Sequence, residues 1–296
     1  MAFRRRRVAL PALGATAVLV AGGAGALALA GNAQAAATSA TVTFQGQGLT
    51  YQAAAGQTNK LTLTKTTAGV EDDNSAYGAS EYTYTLDDVV TITFTDDRCS
   101  YPVSSDHTKV VCTWIVEAGQ DPDYVSAIKL GDKNDKVTFV NPKGDTYDAE
   151  TFYLGAGNDT YVSTKYADGS RIEAGPGNDK VTIDKISGDL GGVLGGTGND
   201  TVQVKSGTSW FINGGAGNDT ITGGKGTQYL NGDAGNDLIK GGSGADVITG
   251  GKGNDTLYGN DGADQIYGNS GNDKLYGGKG TDTLLGGSGK NVIKQN

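Results

Sequence analysis

The sequence has too few of several residue types for the common catalytic chemistries. It contains one histidine, His107, and no Gly-x-Ser-x-Gly motif. A single histidine excludes a His-Glu-x-x-His zinc site, and any Ser-His-Asp triad would have to use His107. The carboxylate pair of a glycoside hydrolase is not excluded, because acidic residues are abundant. We therefore expect a protein without enzymatic activity, and keep a hydrolase within residues 36–126 as an alternative.

Long apolar runs are also scarce, and the one present lies at the N-terminus. It extends from Val8 to Ala30, follows Arg4–Arg7, and precedes Ala33-Gln-Ala35. These three parts are typical of a signal peptide, so we predict that residues 1–35 are removed after Ala35 and that the protein is secreted. Both the general route and the twin-arginine route are compatible with these arginines. An uncleaved membrane anchor is the alternative interpretation.

Positive charge is scarce relative to negative charge. The chain has 24 basic and 33 acidic residues, and a net charge of −9. Loss of Arg4–Arg7 with the signal peptide would leave 20 basic residues and a net charge of −13. We therefore expect no nucleic-acid partner. No other apolar stretch could span a bilayer, so we expect no membrane insertion of the mature chain. We also expect a monomer.

Only two cysteines occur, Cys99 and Cys112. Both lie in the exported part, where oxidation is permitted, and the residues between them carry a turn signal. We predict a disulfide that ties a hairpin. Free thiols or a metal-binding pair are the alternatives, although the latter lacks a suitably spaced histidine.

Glycine, in contrast, is abundant and periodic. Nine consecutive nine-residue units run from Gly214 to Lys294, with glycine at positions 1 and 4 of every unit. Position 8 is Ile or Leu in all nine units, and position 6 is Asp in seven, with Gln228 and Asn291 as the exceptions. Glycine-rich turns followed by very short strands fit this period, since glycine adopts positive φ without steric cost. Two units then form one coil, and the position-8 side chains point inward.

Residues 18 apart should stack on the same edge of such a roll. This places the position-6 residues in two columns, Asp219 to Asn291 and Gln228 to Asp282. Calcium takes six to eight oxygen ligands from carboxylates and backbone carbonyls, which these loops offer. The amide side chains of Gln228 and Asn291 predict weaker or empty sites beside them.

The repeat Gly-Gly-x-Gly-x-Asp-x-U-x resembles the RTX, or hemolysin-type, calcium-binding repeat family. The resemblance implies a right-handed parallel β-roll that holds several Ca²⁺ ions, each bridged by the position-6 side chains of two stacked loops. It also implies folding coupled to calcium binding.

Irregular Gly-x-Asn-Asp motifs extend the first column upstream. Their aspartates are about one coil apart, and a looser motif ends at Asp135. We expect ions on one edge before residue 228 and on both edges after it. The predicted metal ligands are Asp159, Asp179, Asp200, Asp219, Asp237, Asp246, Asp255, Asp264, Asp273 and Asp282.

The segment before the repeats alternates Thr, Val, Tyr and Phe, which favours short strands. We predict an all-β chain with four parts: the signal peptide at 1–35, a small β-sandwich-like or capping domain at 36–127, one-sided degenerate turns at 128–213, and the regular roll at 214–296. The predicted function is a secreted calcium-binding protein. The alternative is a calcium-rigidified adhesin or matrix module that binds a surface glycan or protein. Tyr258, Tyr267 and Tyr276 at position 9 would form a cross-strand ladder or a sugar-binding strip.

Overall fold

The computed structural model describes residues 38–70, 79–116, 126–143, 150–167, 169–186, 191–207 and 210–295. The predicted signal peptide and its cleavage after Ala35 lie outside these ranges. Within them the chain forms strands and no helix, so the described residues include no helix that could cross a membrane. The prediction of an all-β fold is confirmed.

The strands form two sheets that face each other across a narrow core. The first sheet has the order β24-β22-β20-β18-β16-β14-β12-β10-β8-β2-β1-β5. Its strands are β1 (Ser39–Gln45), β2 (Gly48–Gln52), β5 (Thr91–Phe94), β8 (Ser126–Lys129), β10 (Glu150–Tyr153), β12 (Arg171–Pro176), β14 (Gly192–Thr197), β16 (Trp210–Ala216), β18 (Gln228–Ala234), β20 (Val247–Lys252), β22 (Gln265–Ser270) and β24 (Thr283–Leu285).

The second sheet has the order β25-β23-β21-β19-β17-β15-β13-β11-β9-β3-β4-β7-β6. Its strands are β3 (Lys60–Val70), β4 (Ala79–Asp87), β6 (Cys99–Ser100), β7 (Lys109–Val116), β9 (Lys136–Asn141), β11 (Thr160–Lys165), β13 (Lys180–Ile183), β15 (Thr201–Val204), β17 (Thr220–Thr222), β19 (Leu238–Ser243), β21 (Thr256–Asp261), β23 (Lys274–Lys279) and β25 (Val292–Lys294).

From β8 onward, successive strands alternate between the two sheets, and all sheet neighbours are parallel. Ile239 pairs with Leu257, and Ile248 pairs with Ile266, so one coil takes 18 residues. This register confirms the predicted solenoid of two nine-residue units per coil. It also stacks equivalent loops directly above one another.

The position-8 side chains form the core of the regular roll. They are at most 2% exposed from Ile221 to Leu275, and Leu284 is partly buried against them. Ile293 departs from the predicted inward column, because it is 49% exposed on the terminal strand β25. That strand has a partner only on its β23 side, so no further coil among the described residues covers it.

The N-terminal strands continue both sheets of the roll. Strand β2 pairs with β8, and β3 pairs with β9, both in parallel. Antiparallel pairs then close the end, namely β1 with β2, β3 with β4, and β4 with β7. This segment, the predicted N-terminal cap, therefore continues both sheets beyond β8 and β9. That it shields the first apolar face of the solenoid, as caps of solenoids do, stays a prediction. The predicted disulfide between Cys99 and Cys112 is present and joins β6 to β7.

A buried ion pair joins the cap to the roll. Lys65 Nζ on β3 lies 3.1 Å from Glu150 Oε1 on β10, and both side chains are fully buried. The Tyr84 hydroxyl donates a hydrogen bond to the same carboxylate oxygen, while the Ser170 hydroxyl lies 3.4 Å from Oε2. These partners satisfy a charge pair that would otherwise be costly in an apolar core.

Candidate metal centre

Glycine at repeat positions 2 and 4 allows the loops to stack closely. Gly217 has φ of +139°, and a Cβ atom there would lie 1.7 Å from the Gly198 carbonyl oxygen of the preceding coil. Any side chain would push the two loops apart. At position 2, Asp233, Asn260 and Asn269 replace glycine with φ between 69° and 76°, a region that Asn and Asp tolerate better than most residues. The loops therefore keep one backbone shape.

Close stacking brings the position-6 side chains into a continuous ladder. Oδ1 of Asp237 accepts a hydrogen bond from the backbone N–H of Asp219 at 2.7 Å, and Oδ1 of Asp255 accepts one from Asp237 at 2.8 Å. The same bond recurs along the first column, which comprises Asn59, Asp135, Asp159, Asp179, Asp200, Asp219, Asp237, Asp255, Asp273 and Asn291. From Asp135 onward, each side chain thus ties its own loop to the preceding one.

A second column occupies the opposite edge and is shorter. The backbone N–H of Gln228 donates to Asp246 Oδ1 at 2.9 Å, and the N–H of Asp246 donates to Asp264 Oδ1 at 2.9 Å. The N–H of Asp264 donates to Asp282 Oδ1 at 3.0 Å. The roll therefore carries one column upstream of Gln228 and two columns after it.

The second carboxylate oxygen of these aspartates lacks a partner. Oδ2 is buried and accepts no hydrogen bond in Asp135, Asp159, Asp179, Asp200, Asp219, Asp237, Asp246, Asp255, Asp264 and Asp273. Asp282 differs, since its Oδ2 lies 3.4 Å from Gln295 Nε2. Unpartnered buried polar atoms are rare in native proteins. A regular row of such oxygens is an arrangement that bound cations would satisfy.

Backbone carbonyl oxygens border the same spaces. A Cβ atom built on Gly232 would lie 2.2 Å from Asp237 Oδ2 and 2.6 Å from the Gly250 carbonyl oxygen. On the other edge, a Cβ atom on Gly259 would lie 2.2 Å from Asp264 Oδ2 and 2.6 Å from the Gly277 carbonyl oxygen. Glycine at position 1 therefore leaves room beside a carboxylate and a carbonyl of the next coil.

Burial and repulsion between neighbouring carboxylates raise the pKa values of the column aspartates. Burial raises the pKa of Asp237 to about 7, with a further rise from the neighbouring Asp255 and Asp219 carboxylates. Burial likewise raises the pKa of Asp200 to about 7 and that of Asp246 to about 6. Without a cation, ionised carboxylates are therefore disfavoured in these loops.

The residues fit a hard divalent cation that is held partly by the backbone. No three acidic, histidine or cysteine side chains converge among the described residues, so side chains alone would not form a site there. The ten loops with an orphaned Oδ2 instead combine one carboxylate oxygen with backbone carbonyls, which is the ligand type that calcium accepts and zinc does not favour. The donor set thus fits calcium.

The sequence predicted the stacking of the ten aspartates, with Asp135 as a looser further member, but missed other parts of the ladder. Asp135, the least regular motif, joins the first column, and Asn59 N–H and Nδ2 donate to its Oδ1. The asparagines at position 5 form a further ladder of opposite direction, in which Asn218 Oδ1 accepts from the N–H of Asn236 at 2.7 Å. The recurrence of an asparagine directly before the first-column aspartates was the sequence signal for this further ladder.

The position-9 tyrosines form the predicted ladder on one outer face. The rings of Tyr258 and Tyr276 stack with centroids 4.7 Å apart and planes 9° apart. Tyr267 belongs to β22 in the other sheet. Glycan binding by these rings remains a prediction.

Comparison with protein families agrees with the geometry of the regular array. The family model of the RTX calcium-binding nonapeptide repeat matches residues 211–239, 222–257 and 258–293. The matched residues include both columns from Asp219 onward, whereas the upstream aspartates lie outside them. A comparison with curated proteins gave no match.

Proposed function

We propose that this chain, whose residues 211–293 carry RTX calcium-binding nonapeptide repeats, is a secreted protein whose roll folds fully on reaching extracellular calcium. The observation that carries the proposal is the row of buried Oδ2 atoms without a hydrogen-bond partner. A buried carboxylate oxygen without a partner destabilises the fold. Cations bound beside these oxygens would compensate all ten of them.

The ten predicted aspartates and the carbonyls of the adjacent loops would hold the ions. Successive position-6 aspartates, such as Asp237 and Asp255, would contribute from two coils to one site. Bound calcium supplies the positive charge that balances these carboxylates and links neighbouring loops. Because every site joins two coils, binding and stacking are expected to be cooperative.

Export explains why such a protein would depend on calcium. The signal peptide predicted at residues 1–35 would deliver the chain to a compartment where calcium modules bind with Kd of about 10⁻⁴–10⁻³ M. The chain would leave the cell with incomplete coils and complete them outside. We assign it a structural role as a monomer, and a surface glycan or protein is the partner class to be sought.

Counting ions on matched variants tests the proposal. Native mass spectrometry of the calcium-loaded protein should show several ions, and fewer on Asp246→Ala/Asp264→Ala, which removes two ligands from the second column. The exposed pair of substitutions Asp97→Ala and Asp261→Ala lies outside both columns, serves as the control and should leave the count unchanged. An ion count of zero on the unsubstituted protein would refute the proposal.

A further inference from the structure

Gln228 occupies the first position of the second column with an unusual set of contacts. Its side chain is fully buried. Nε2 lies 2.9 Å from the Gly207 carbonyl oxygen, 3.3 Å from that of Lys225 and 2.7 Å from that of Gly226. Oε1 accepts a hydrogen bond from the Gly224 N–H at 3.1 Å. Three carbonyl oxygens from two successive coils therefore converge on one amide nitrogen.

The equivalent loop one coil later lacks this donor. Asp246 stands 18 residues after Gln228, and its Oδ2 has no partner. The carbonyl oxygen of Gly244, which corresponds to Gly226, accepts no hydrogen bond from the described residues. In the Gln228 loop an amide nitrogen donates to the carbonyl oxygens, whereas in the Asp246 loop no donor among the described residues contacts the equivalent Gly244 oxygen.

The Gln228 side-chain amide and a cation bound beside an aspartate would meet the same need of the surrounding carbonyl oxygens. A carboxamide brings its own two N–H donors to the carbonyls, whereas a carboxylate has only acceptors. An aspartate loop therefore needs a cation, but the Gln228 loop does not. A Cβ atom built on Gly223 would lie 2.2 Å from Gln228 Oε1 and 2.1 Å from the Gly241 carbonyl oxygen, which matches the position-1 surroundings of the aspartate loops.

We propose that the Gln228 carboxamide takes the place of a calcium ion and makes the first loop of the second column independent of calcium. The inference rests on the proposed function of the aspartate loops. The Gln228 loop would then be the point from which the second column forms. Its amide nitrogen bonds to the Gly207 carbonyl oxygen of the preceding coil whether or not calcium is present. The loops that carry Asp246 and Asp264 then assemble on this fixed loop when calcium arrives.

Gln228→Glu tests the proposal, because it keeps the chain length and exchanges only the nitrogen for an oxygen. The three carbonyls then face a carboxylate, so the substituted loop should need a cation. We expect the urea midpoint of Gln228→Glu to fall below that of the unsubstituted protein in calcium-depleted buffer. In saturating calcium the variant should bind one additional ion per chain and recover its midpoint. Gln203→Glu, on the exposed face of β15, makes the same charge change and should alter neither quantity.

Gln228→Met separates replacement of an ion from simple packing. Methionine keeps the length but offers neither donor nor carboxylate, so its midpoint should fall by a similar amount with and without calcium. An unchanged ion count for Gln228→Glu, while the unsubstituted protein binds several ions, would overturn this inference and leave the proposed function standing. An unsubstituted protein that binds no ions would overturn the proposed function, and this inference with it.

Discussion

Replacement of Asp255 by asparagine should have opposite effects in the absence and in the presence of calcium. Asp255 is 1% exposed, its Oδ1 accepts the N–H of Asp237, and its Oδ2 has no partner. Asparagine keeps the accepting oxygen and places an amide nitrogen where the orphaned oxygen stood. Asn291 already shows this arrangement, because its Oδ1 accepts the N–H of Asp273 while Nδ2 lies 3.3 Å from the Gly287 carbonyl oxygen.

The expected changes in the free energy of unfolding differ between the calcium-free and the calcium-bound site. An unsatisfied buried polar group costs about 1–3 kcal/mol, so Asp255→Asn should raise the free energy of unfolding by about that amount in calcium-depleted buffer. At a free calcium concentration about 100 times Kd, each bound ion stabilises the fold by about 2.7 kcal/mol. Asp255 borders Asp237 on one side and Asp273 on the other, so the variant should lose at least one such contribution in calcium.

Urea denaturation in both buffers measures the two effects, and hydrogen exchange at the Asp237 amide reports the site itself. Asp261→Asn is the control, because Asp261 is exposed at the end of β21, the strand that follows Asp255, and pairs with Lys279 at the surface, where ion pairs contribute little. It should change the midpoint only slightly in either buffer. A loss of stability for Asp255→Asn that is equal with and without calcium would refute the reasoning, since it would show that Oδ2 has no ionic partner.

Three further predictions concern the pH dependence of stability, the close contact at Gly232, and the buried ion pair between the cap and the roll. In calcium-depleted buffer the urea midpoint should decrease as the pH is raised from about 5 to about 8. The pKa values of the column aspartates are raised in the folded state, so the folded protein keeps protons that the unfolded chain has already released. Saturating calcium should abolish or reverse this trend. Gly232→Ala should reduce the ion count, since its methyl group would collide with Asp237 Oδ2, and native mass spectrometry checks this. Lys65→Met should cost about 3–5 kcal/mol by leaving Glu150 unpaired, and Glu150→Leu in the same chain should restore most of the urea midpoint.

The regular roll could be predicted from the sequence because its interactions repeat locally. Position 8 fixes the inward column, position 6 fixes the aspartate ladder, and the period of 18 fixes which loops stack. Ile293 broke the pattern only because burial depends on a covering coil, which a single position does not reveal. Asp135 was predicted only as an irregular member of the first column because its step to Asp159 is long, and the extension of that column to Asn59, far away in the chain, was not predicted.

Features that join distant segments were not predictable. The parallel pairing of β2 with β8 and of β3 with β9 makes the N-terminal strands part of both sheets, although their sequence carries no repeat. The Lys65–Glu150 pair likewise joins residues whose separation gives no periodic signal. The amide contacts of Gln228 were hidden for a different reason: the sequence showed a departure from aspartate, but only the structure shows carbonyls converging on the nitrogen.

The central claim is that calcium completes the roll, and a calcium titration of residues 36–296, which form one compact unit, tests it most directly. Calcium-depleted protein is titrated while far-ultraviolet circular dichroism follows the β-strand signal and bound ions are counted. We predict a cooperative gain of β-strand signal as several ions bind, and a smaller gain in Asp246→Ala/Asp264→Ala. A full β-strand signal in calcium-depleted buffer, unchanged on titration and accompanied by no bound ions, would contradict the account.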